Sequence, residues 1–417
     1  MTSAALPEGK ISLRLALAGE QVSSVAIRST RPIHASQIFQ GQPIEQALTL
    51  LPLLFTVCGN AQSIAGARAI EAAQGREAPP WQNQLRKQLI AAETIGEHCW
   101  RILLDWPKLT QALTSPAGGD QTSSDGSAGK KDLLAIRQGL IAFNKALAAA
   151  RLPLANNRSQ AVKAEKALLA ARAQQAANCQ QLLAILGNRL FGRALTSWLA
   201  ITNLSELTTW LEHTDTAASR LLRAINQCQW QASGQSEVPP LADFAPQQWL
   251  VLAQQMTDQA FIEQPHWRAA PAETSSCTRA TSPLLTESRQ RYGNGLLTRA
   301  LARLTELASM ACELVEPGHH RGYSASQPLA AATGLGAAHA ARGLLLHRVE
   351  LNGTTIRHYA VLAPTEWNFA HQGVVAQGLN NLRGSAQAIE QQARVYIESI
   401  DPCVAYDLQI TPTEEPH

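Results

Sequence analysis

Two cysteines that lie far apart in the chain are the residues best suited to hold a metal. Cys58 lies in LFTVCGNAQSIAGARA, and Cys403 lies in ESIDPCVAY. Thiolates bind soft metals, and two of them are enough to hold a pre-assembled metal fragment but few for a permanent metal cage. Because one thiol is near each end of the chain, only the folded protein brings them together. From the residues alone, two ordinary buried cysteines are the alternative.

Composition and charge describe a large globular chain without a basic or acidic bias. The 417 residues are 45% hydrophobic and carry a formal net charge of +3, which predicts no binding to nucleic acid or a membrane surface. We expect no transmembrane helix and no signal peptide, since no long uncharged apolar stretch occurs. The seven cysteines include no C-x-x-C pair, which argues against a disulfide framework and predicts a cytoplasmic protein.

Hydrophobic periodicity predicts a mainly α-helical protein with small β-hairpins, in the α+β class. Alternation predicts one hairpin at 9–31, and Asn352-Gly353 at the centre of 344–364 predicts another, with a type I′ turn. The residue pattern predicts helices over 44–55, 61–74, 84–106, 132–195, 205–231, 246–265 and 287–315.

The segments between these elements complete the predicted organisation. Residues 115–131 are rich in Gly and Ser and are expected to form a flexible loop. Asn156-Asn157 should divide the longest helical range into a hairpin of helices. We expect residues 408–417 to be a C-terminal tail and the whole chain, 1–417, to be a single domain.

Five segments occur in the order that is found in the large subunit of NiFe hydrogenases. They are the first hairpin, GQPIEQALTLLPLLFTVCGNAQSIAGARAIEAA, ARGLLLHRVELNG, APTEWN and DPCVAY. The chain resembles that family most over residues 35–106 and 336–409. More narrowly, it resembles the hydrogenase expression/formation proteins of the HupK/HoxV type, which are degenerate relatives of the large subunit. The resemblance implies a large-subunit-like helical body.

The first cysteine motif of the family is only half present. In the hydrogenase large subunit, two C-x-x-C pairs supply four thiolates to nickel and iron. An ungapped count from Gly41 and Arg68 places Cys58 at the second cysteine of the first pair and Phe55 at the first. Aligning V-C-G-N-A with the start of the motif would instead make Cys58 the first cysteine and Ala61 the second. We favour the ungapped count.

The second motif also keeps one cysteine, Cys403, and Tyr406 replaces the other. Gln62 and Gln409 stand where the family usually has histidines. Large-subunit precursors commonly lose a short extension after the second of these histidines once nickel is bound. Because Gln409 replaces that residue and the nickel ligands are incomplete, the resemblance implies a chain that keeps its C-terminus to His417 and binds no nickel.

The remaining ligands imply a site for iron as an Fe(CN)2CO fragment, held transiently by Cys58 and Cys403. Two thiolates of low pKa would suit this fragment, and an incomplete ligand set lets it leave. Arg342, in the A-R-G before the second hairpin, matches an arginine over the metals, which would offset negative charge and donate to a cyanide. Thr365 in APTEWN matches a hydroxyl donor to a cyanide, and Pro364 shapes its loop. A surface arginine and a turn threonine are the alternatives.

The remaining histidines and motifs give no indication of a second metal site or of a catalytic site. His98 and Cys99 point in different directions on a helix, so we expect Glu97 and His98 to make structural hydrogen bonds. His319-His320 lacks partners at metal-binding spacing and is expected to lie in a loop. The sequence contains no phosphate-binding loop, dinucleotide fingerprint or serine-hydrolase motif.

The resemblance implies an accessory scaffold in NiFe hydrogenase maturation and not an enzyme. Its implied partners are other hydrogenase maturation proteins and the hydrogenase large-subunit precursor. Two alternatives remain open. One is a metal-free mimic of the large subunit that recruits maturation factors, and the other is a minimal hydrogenase-like metalloenzyme.

Overall fold

The computed structural model describes residues 9–114, 125–147, 178–241, 244–315 and 326–412. Its strands are β1 (Ile11–Ala18), β2 (Gln21–Ser29), β3 (Ser326–Ala330), β4 (Thr333–Ala340), β5 (Gly343–Asn352), β6 (Thr355–Leu362) and β7 (Tyr406–Pro412). They form one sheet of order β2-β1-β7 and one of order β3-β4-β5-β6.

Helices make up most of the described chain, which confirms the predicted fold class. They are α1 (Ile44–Leu54), α2 (Gly59–Ala73), α3 (Pro80–Trp100), α4 (Trp106–Thr114), α5 (Asp125–Leu147), α6 (178–186), α7 (Leu195–Leu199), α8 (Leu204–His213), α9 (Ala217–Gln227), α10 (Pro246–Gln255), α11 (Gln259–Glu263), α12 (Ser276–Arg279), α13 (Pro283–Tyr292), α14 (Leu296–Val315), α15 (Pro364–Asn368), α16 (Val374–Asn380) and α17 (Ala386–Ile400).

Three of the predicted helical ranges are each divided into two helices by local caps. Within 205–231, α9 begins at a capping box in which Thr216 and Ser219 bond each other's backbone N–H groups. Within 246–265, the Asp258 side chain caps α11. In the last range, Gly293 ends α13 with a φ of 60°, a conformation that favours glycine. Periodicity located these helices, and the caps set their ends.

The three-stranded sheet joins the two ends of the chain. The predicted first hairpin is confirmed as β1 and β2, and the inward residues of β1 are fully buried. β7 pairs in parallel with β1, from Ile11 opposite Tyr406 to Leu17 opposite Pro412. The prediction of a tail at 408–417 is therefore wrong for residues 408–412. Residues 408–411 alternate half-buried and exposed, which suits an edge strand.

The four-stranded sheet contains the second predicted hairpin, which is confirmed as β5 and β6. Its two-residue turn is Gly353-Thr354, one residue later than predicted, and a bulge between Glu350 and Leu351 interrupts the pairing close to the turn. Gly353 has a φ of 60°, and Asn352 is not in the left-handed region. The strands β3 and β4, which were not predicted, extend this sheet on the other side of β5.

The sheet packs closely on α2 because β4 carries two glycines at the contact. A Cβ atom on Gly334 would lie 2.2 Å from the carbonyl oxygen of Ala69, and one on Gly336 would lie 2.1 Å from that of Ala65. These separations leave no room for a side chain. The backbone of α2, which begins directly after Cys58, is therefore fixed against the sheet.

The loop predicted at 115–131 is wrong for residues 125–131, which form the start of α5. A Cβ atom on Gly129 would lie 2.5 Å from the carbonyl oxygen of Leu103, so this glycine permits close helix packing. Residues 115–124 lie outside the described ranges. So does the predicted break at Asn156-Asn157 in the helical range 132–195, of which α5 and α6 are described.

Among the described residues, no single helix combines the length and apolarity needed to cross a membrane. The helices Ile44–Leu54 and Thr56–Ala73 meet those criteria only when taken together, and they are bent by 98° at their junction. Much of α2 is buried in the protein core, as expected for an internal helix.

Candidate functional site

All five residues predicted for the metal site line one cavity. It has a volume of about 160 Å³ and lies between the turn after β2, the start of α2, the β4–β5 turn, α15 and the segment after α17. The predicted residues in its wall are Cys58, Arg342, Pro364, Thr365 and Cys403. The fold therefore brings two sequence-distant thiols together with a guanidinium and a hydroxyl.

Cys58 is positioned by the start of α2. It ends the 3-10 turn Thr56–Cys58, immediately before the helix. Glu93 of α3 accepts hydrogen bonds from the backbone N–H groups of Asn60, at 2.7 Å, and Ala61, at 3.1 Å. These N–H groups have no partner within the helix, and a carboxyl group there satisfies them. α3 thus fixes the start of α2 and, with it, the Cys58 side chain.

The expectation of a low-pKa thiol is wrong for Cys58 in the metal-free protein. Desolvation raises the pKa of Cys58 to about 12, and the charges of Glu93 and Cys403 act in the same direction. Gln62 and Arg342 favour the thiolate, but they do not outweigh these effects. The Cys58 thiol is therefore protonated near neutral pH and must release its proton when it binds a metal.

Cys403 is positioned by the end of α17. Asp401 follows the helix with a φ of 67°, and its N–H group bonds back to the last helical turn. Pro402 then prevents the helix from continuing. The Thr365 hydroxyl donates a hydrogen bond to the Cys403 sulfur at 3.2 Å. In this structure, the threonine predicted as a cyanide partner contacts the candidate ligand itself.

Arg342 is a buried arginine held by two carboxyl groups, which excludes the surface-arginine alternative. It lies in the tight turn between β4 and β5 and is 5% exposed. One guanidinium nitrogen lies 3.1 Å from Asp401 and 3.1 Å from Glu97. Burial alone would lower the pKa of Arg342, but these two acids outweigh it and raise the pKa above its usual value. Within the described part of the chain, the Nε atom has no hydrogen-bond partner, so one donor remains unused.

Asp401 is a site residue that the sequence analysis missed. Its carboxyl group lies 2.7 Å from Arg101, 3.1 Å from Arg342 and 3.8 Å from Arg303. Burial would raise the pKa of Asp401, but the three guanidinium groups lower it to about 2. The only sequence signal was its place beside Pro402 in the D-P-C motif.

Arg31 is a second cationic residue that the sequence analysis missed. It lines the cavity just after β2 and forms an ion pair with Glu366 of α15. Burial lowers the pKa of Arg31, but Cys403 and Glu366 outweigh it and raise the pKa. No motif marks this arginine in the sequence. Its position emerges only when the N-terminal hairpin packs beside α15.

The positions of the two replaced cysteines support the ungapped count. Phe55 lines the cavity beside Cys58, whereas Ala61 does not line it. Tyr406 lies at the first position of β7, opposite Ile11. Aromatic residues therefore occupy both positions where the family would have the remaining thiolates.

The other candidates have structural surroundings. His98 is fully buried, and its Nε2 atom lies 2.9 Å from Glu306, which agrees with the predicted structural hydrogen bond. Glu97 bonds Arg342. His319-His320 lies outside the described ranges. Within those ranges, no group of three or more His, Cys, Asp or Glu side chains is arranged to hold a metal ion.

This donor set fits a metal that brings most of its own ligands. Cys58 and Cys403 supply two soft sulfur atoms, and two arginines and a hydroxyl supply hydrogen-bond donors around them. The cavity volume is roughly ten times the ~10–15 Å³ that one water molecule needs. It is therefore large enough for a metal with several small ligands.

Comparisons with known proteins agree with this geometry. A family described as nickel-dependent hydrogenase matches residues 296–407. The chain is similar in fold to the reduced, active NiFeSe hydrogenase of Desulfomicrobium baculatum, with a TM-score of 0.62, 12% identity and coverage of 93% of this chain and 95% of that one. A NiFeSe hydrogenase of Desulfovibrio vulgaris Hildenborough gives a TM-score of 0.59 at 15% identity, covering 93% and 94%. The expected large-subunit-like fold is therefore confirmed.

Relatives that match over nearly their full length show more specifically which family the chain belongs to. The hydrogenase expression/formation protein HoxV of Cupriavidus necator is 30% identical, over 98% of this chain and 97% of its own. The hydrogenase expression/formation protein HupK of Azotobacter vinelandii is 27% identical, over 96% of this chain and 98% of its own. The similarity extends over almost the full length of these proteins, and the two half-motifs meet at one cavity. The chain therefore belongs to the HoxV/HupK family of hydrogenase expression/formation proteins.

Proposed function

We propose that this protein carries the Fe(CN)2CO fragment during the maturation of a NiFe hydrogenase. Cys58 and Cys403 bind the iron, and the fragment is a cargo that is later passed to the hydrogenase large-subunit precursor. Other maturation proteins supply it, and the transfer takes place in the cytoplasm. The observation that carries the proposal is that both thiols line the same cavity as Arg342 and Thr365.

The charges around the cavity support an anionic cargo. Fe(II) with two cyanides and two thiolates carries a net charge of −2. Arg31 and Arg342 line the cavity, and each is held by buried carboxyl groups. A guanidinium group donates well to an anionic acceptor in a site of low dielectric constant. The unused Nε donor of Arg342 is available for a cyanide nitrogen.

The same residues favour a carrier without nickel and without hydrogen turnover. Nickel in the related large subunits needs four thiolates, and this chain has Phe55 and Tyr406 at two of the four positions. The bulk of Phe55 in the cavity wall leaves a site with two thiols. We therefore propose an accessory protein that binds iron only while it carries the cargo.

Infrared spectroscopy tests the proposal directly. Protein purified without oxygen from maturation-competent cells should show bands of metal-bound CO and cyanide, and iron but no stoichiometric nickel. Cys58→Ala or Cys403→Ala should abolish both bands and hydrogenase maturation. Each substitution should lower the stability by only ~1 kcal/mol. Cys179→Ala and Cys228→Ala are matched controls, because these cysteines do not line the cavity.

Three results would contradict the proposal. Absence of the bands in the wild-type protein would favour a metal-free mimic of the large subunit that recruits maturation factors. Equal loss of function in all four cysteine variants would indicate general destabilisation. Hydrogen oxidation with an artificial electron acceptor would identify a minimal hydrogenase-like enzyme.

A further inference from the structure

A chain of three hydrogen bonds leads from the protein core to the Cys58 sulfur. The Tyr359 hydroxyl lies 2.7 Å from Nδ1 of His347, and Nε2 of His347 lies 2.8 Å from the Gln62 side-chain oxygen. The Gln62 Nε2 atom lies 3.6 Å from the Cys58 sulfur. Tyr359, His347 and Gln62 are all at most 2% exposed.

The donor and acceptor atoms give the three hydrogen bonds one direction of donation. The Gln62 oxygen only accepts hydrogen bonds, so Nε2 of His347 must carry the hydrogen. Nδ1 of His347 then has a lone pair and accepts from the Tyr359 hydroxyl. Burial also lowers the pKa of His347 to about 3, which keeps the ring neutral with a single hydrogen. With its oxygen facing Nε2 of His347, the Gln62 amide presents its NH2 group to the sulfur.

Gly66 makes space for this chain one turn after Gln62. A Cβ atom on Gly66 would lie 2.6 Å from the Tyr359 hydroxyl and 3.4 Å from Nδ1 of His347. The close approach of α2 to β5 and β6 therefore depends on a glycine here. Three elements, α2, β5 and β6, each contribute one member of the chain.

We propose that Tyr359 and His347 are positioning residues that hold the Gln62 amide as a hydrogen-bond donor to the Cys58 sulfur. A hydrogen bond to a thiolate withdraws electron density from it and weakens its donation to a metal. The Thr365 hydroxyl donates in the same way to the Cys403 sulfur, so each thiol has one donor, and the Gln62 amide weakens the bond between Cys58 and the cargo. This inference rests on the proposed function, which gives Cys58 its metal.

Removal of the Tyr359 hydroxyl should release the tautomer of His347. In Tyr359→Phe, Nδ1 of His347 loses its donor, so the state with the hydrogen on Nε2 is no longer favoured by that hydrogen bond. With the hydrogen on Nδ1, Nε2 accepts from the Gln62 NH2 group, and the amide oxygen then faces the sulfur. The sulfur therefore keeps its donor for only part of the time. Gln62→Met removes the donor completely.

Infrared spectra of the loaded protein measure the effect at the metal. A more strongly donating Cys58 increases back-donation from iron, so the CO band should move to lower wavenumber in Tyr359→Phe and in Gln62→Met. Transfer of iron to the large-subunit precursor should also slow in both variants. Band positions identical to those of the wild type in both loaded variants would overturn the inference.

Two matched substitutions control for the loss of a buried hydrogen bond. Tyr396 is also fully buried, and its hydroxyl donates to the carbonyl oxygen of Val374 at 2.9 Å, away from the cavity. Gln392 is 2% exposed and donates to the carbonyl oxygen of Arg383 at 2.8 Å. Tyr396→Phe and Gln392→Met should leave the CO band unchanged. An equal band shift in these controls would identify a general structural effect and would also overturn the inference.

A measurement on metal-free protein separates this inference from the proposed function. Iodoacetamide modifies thiolates, so peptide mass spectrometry gives the alkylation rate of Cys58 relative to Cys403. The rate should fall at least about threefold in Gln62→Met, which loses the donor to the thiolate, and by a smaller factor in Tyr359→Phe, which keeps the donor for part of the time. If the wild type carries no CO or cyanide but this rate falls, only the proposed function fails. An unchanged alkylation rate of Cys58 in both variants would contradict the positioning role of Tyr359 and His347, whatever the infrared spectra show.

Discussion

Asp401 is a buried carboxylate that pairs with several arginines beside the cavity. It is 2% exposed and lies near three arginines, one of which, Arg342, lines the cavity. Two residues later, Cys403 contributes its thiol to the same cavity. A single carboxyl group therefore orients the guanidinium and, through the turn that it occupies, places the sulfur. Removal of a partner from such a buried network leaves uncompensated charge, which is strongly destabilising.

The low pKa of Asp401 predicts a stability that depends on pH. The folded-state pKa of about 2 lies below the ordinary value of 3.8, so the ion pairs stabilise the fold fully above about pH 4. The difference between these two pKa values corresponds to ~2 kcal/mol of unfolding free energy. This stabilisation is lost as the pH falls through about 2.

Urea unfolding of the wild type and Asp401→Asn at pH 6 and at pH 3 measures this dependence. The difference in unfolding free energy between the two proteins should be smaller at pH 3. The exposed Asp407 supplies a control, Asp407→Asn. A gap between the wild type and Asp401→Asn that stays constant with pH would show that folding does not shift the pKa of Asp401.

At the scale of elements, the close contact of α2 with β4 fixes the position of Cys58. Periodicity predicts the helix, but it says nothing of how near the helix lies to the sheet. Gly334 and Gly336 determine that distance, because any side chain there would meet the α2 backbone. The thiol at the start of α2 is thereby held at a set height above the sheet that carries Arg342.

Gly336→Ala should strongly destabilise the protein. Its Cβ atom would lie 2.1 Å from the Ala65 carbonyl oxygen, and neither backbone can move without displacing α2 or β4. Overpacking of this kind costs about 3 kcal/mol, measurable by urea unfolding. The matched control is Gly139→Ala in α5, whose Cβ would lie 3.3 Å from the flexible end of the Leu182 side chain and 3.8 Å from its Cβ, an ordinary contact. That change should be neutral or stabilising by up to ~1 kcal/mol. Equal stability of both variants would show that α2 can shift freely.

The pairing of β7 with β1 predicts a loss of stability if the chain is cleaved at the position where hydrogenase precursors are processed. A chain that ends at Gln409 lacks three β7 residues, which pair with Leu15, Ala16 and Leu17 of β1. Loss of these backbone bonds and of the half-buried Ile410 should lower the unfolding free energy by about 1–2 kcal/mol. The control is Gln409→Ala, which changes an exposed side chain and keeps the pairing. Unchanged stability of the shortened chain would mean that the end of β7 adds nothing.

At the scale of the whole molecule, the site exists only in the folded chain. Cys58 follows α1, and Cys403 follows α17, so the ligands come together after the N-terminal hairpin, both sheets and the helical body have assembled. The parallel pairing of β7 with β1 closes the two ends of the chain on each other. A cargo bound by both thiols therefore binds the native state and not the unfolded chain.

Loading should therefore stabilise the protein against unfolding. A ligand present at about 100 to 1,000 times its dissociation constant adds about 3 to 4 kcal/mol to the unfolding free energy. Anaerobic thermal unfolding should show a higher midpoint for loaded than for metal-free wild type, with no such difference for Cys58→Ala or Cys403→Ala. Cys228→Ala should behave like the wild type. The same increase in a variant that lacks either thiol would show that the cargo is held elsewhere.

The sequence by itself determined the features that depend on local pattern. Alternation located the two hairpins, and helical periodicity located the helices. The resemblance to the hydrogenase large subunit, carried by the ordered motifs, implied the cavity residues Cys58, Arg342, Pro364, Thr365 and Cys403. These are properties of neighbouring residues or of short motifs in a fixed order, so they can be read along the chain.

Only the tertiary structure decided the features that depend on contacts between distant segments. It paired residues 408–412 with β1, continued α5 back through residues 125–131, and brought Arg31 and Asp401 to the site. It also reversed the expected pKa of Cys58, because desolvation and Glu93 belong to the folded surroundings and not to the motif. The physical reason is that burial and charge at a site are sums over neighbours in space, which sequence order does not reveal.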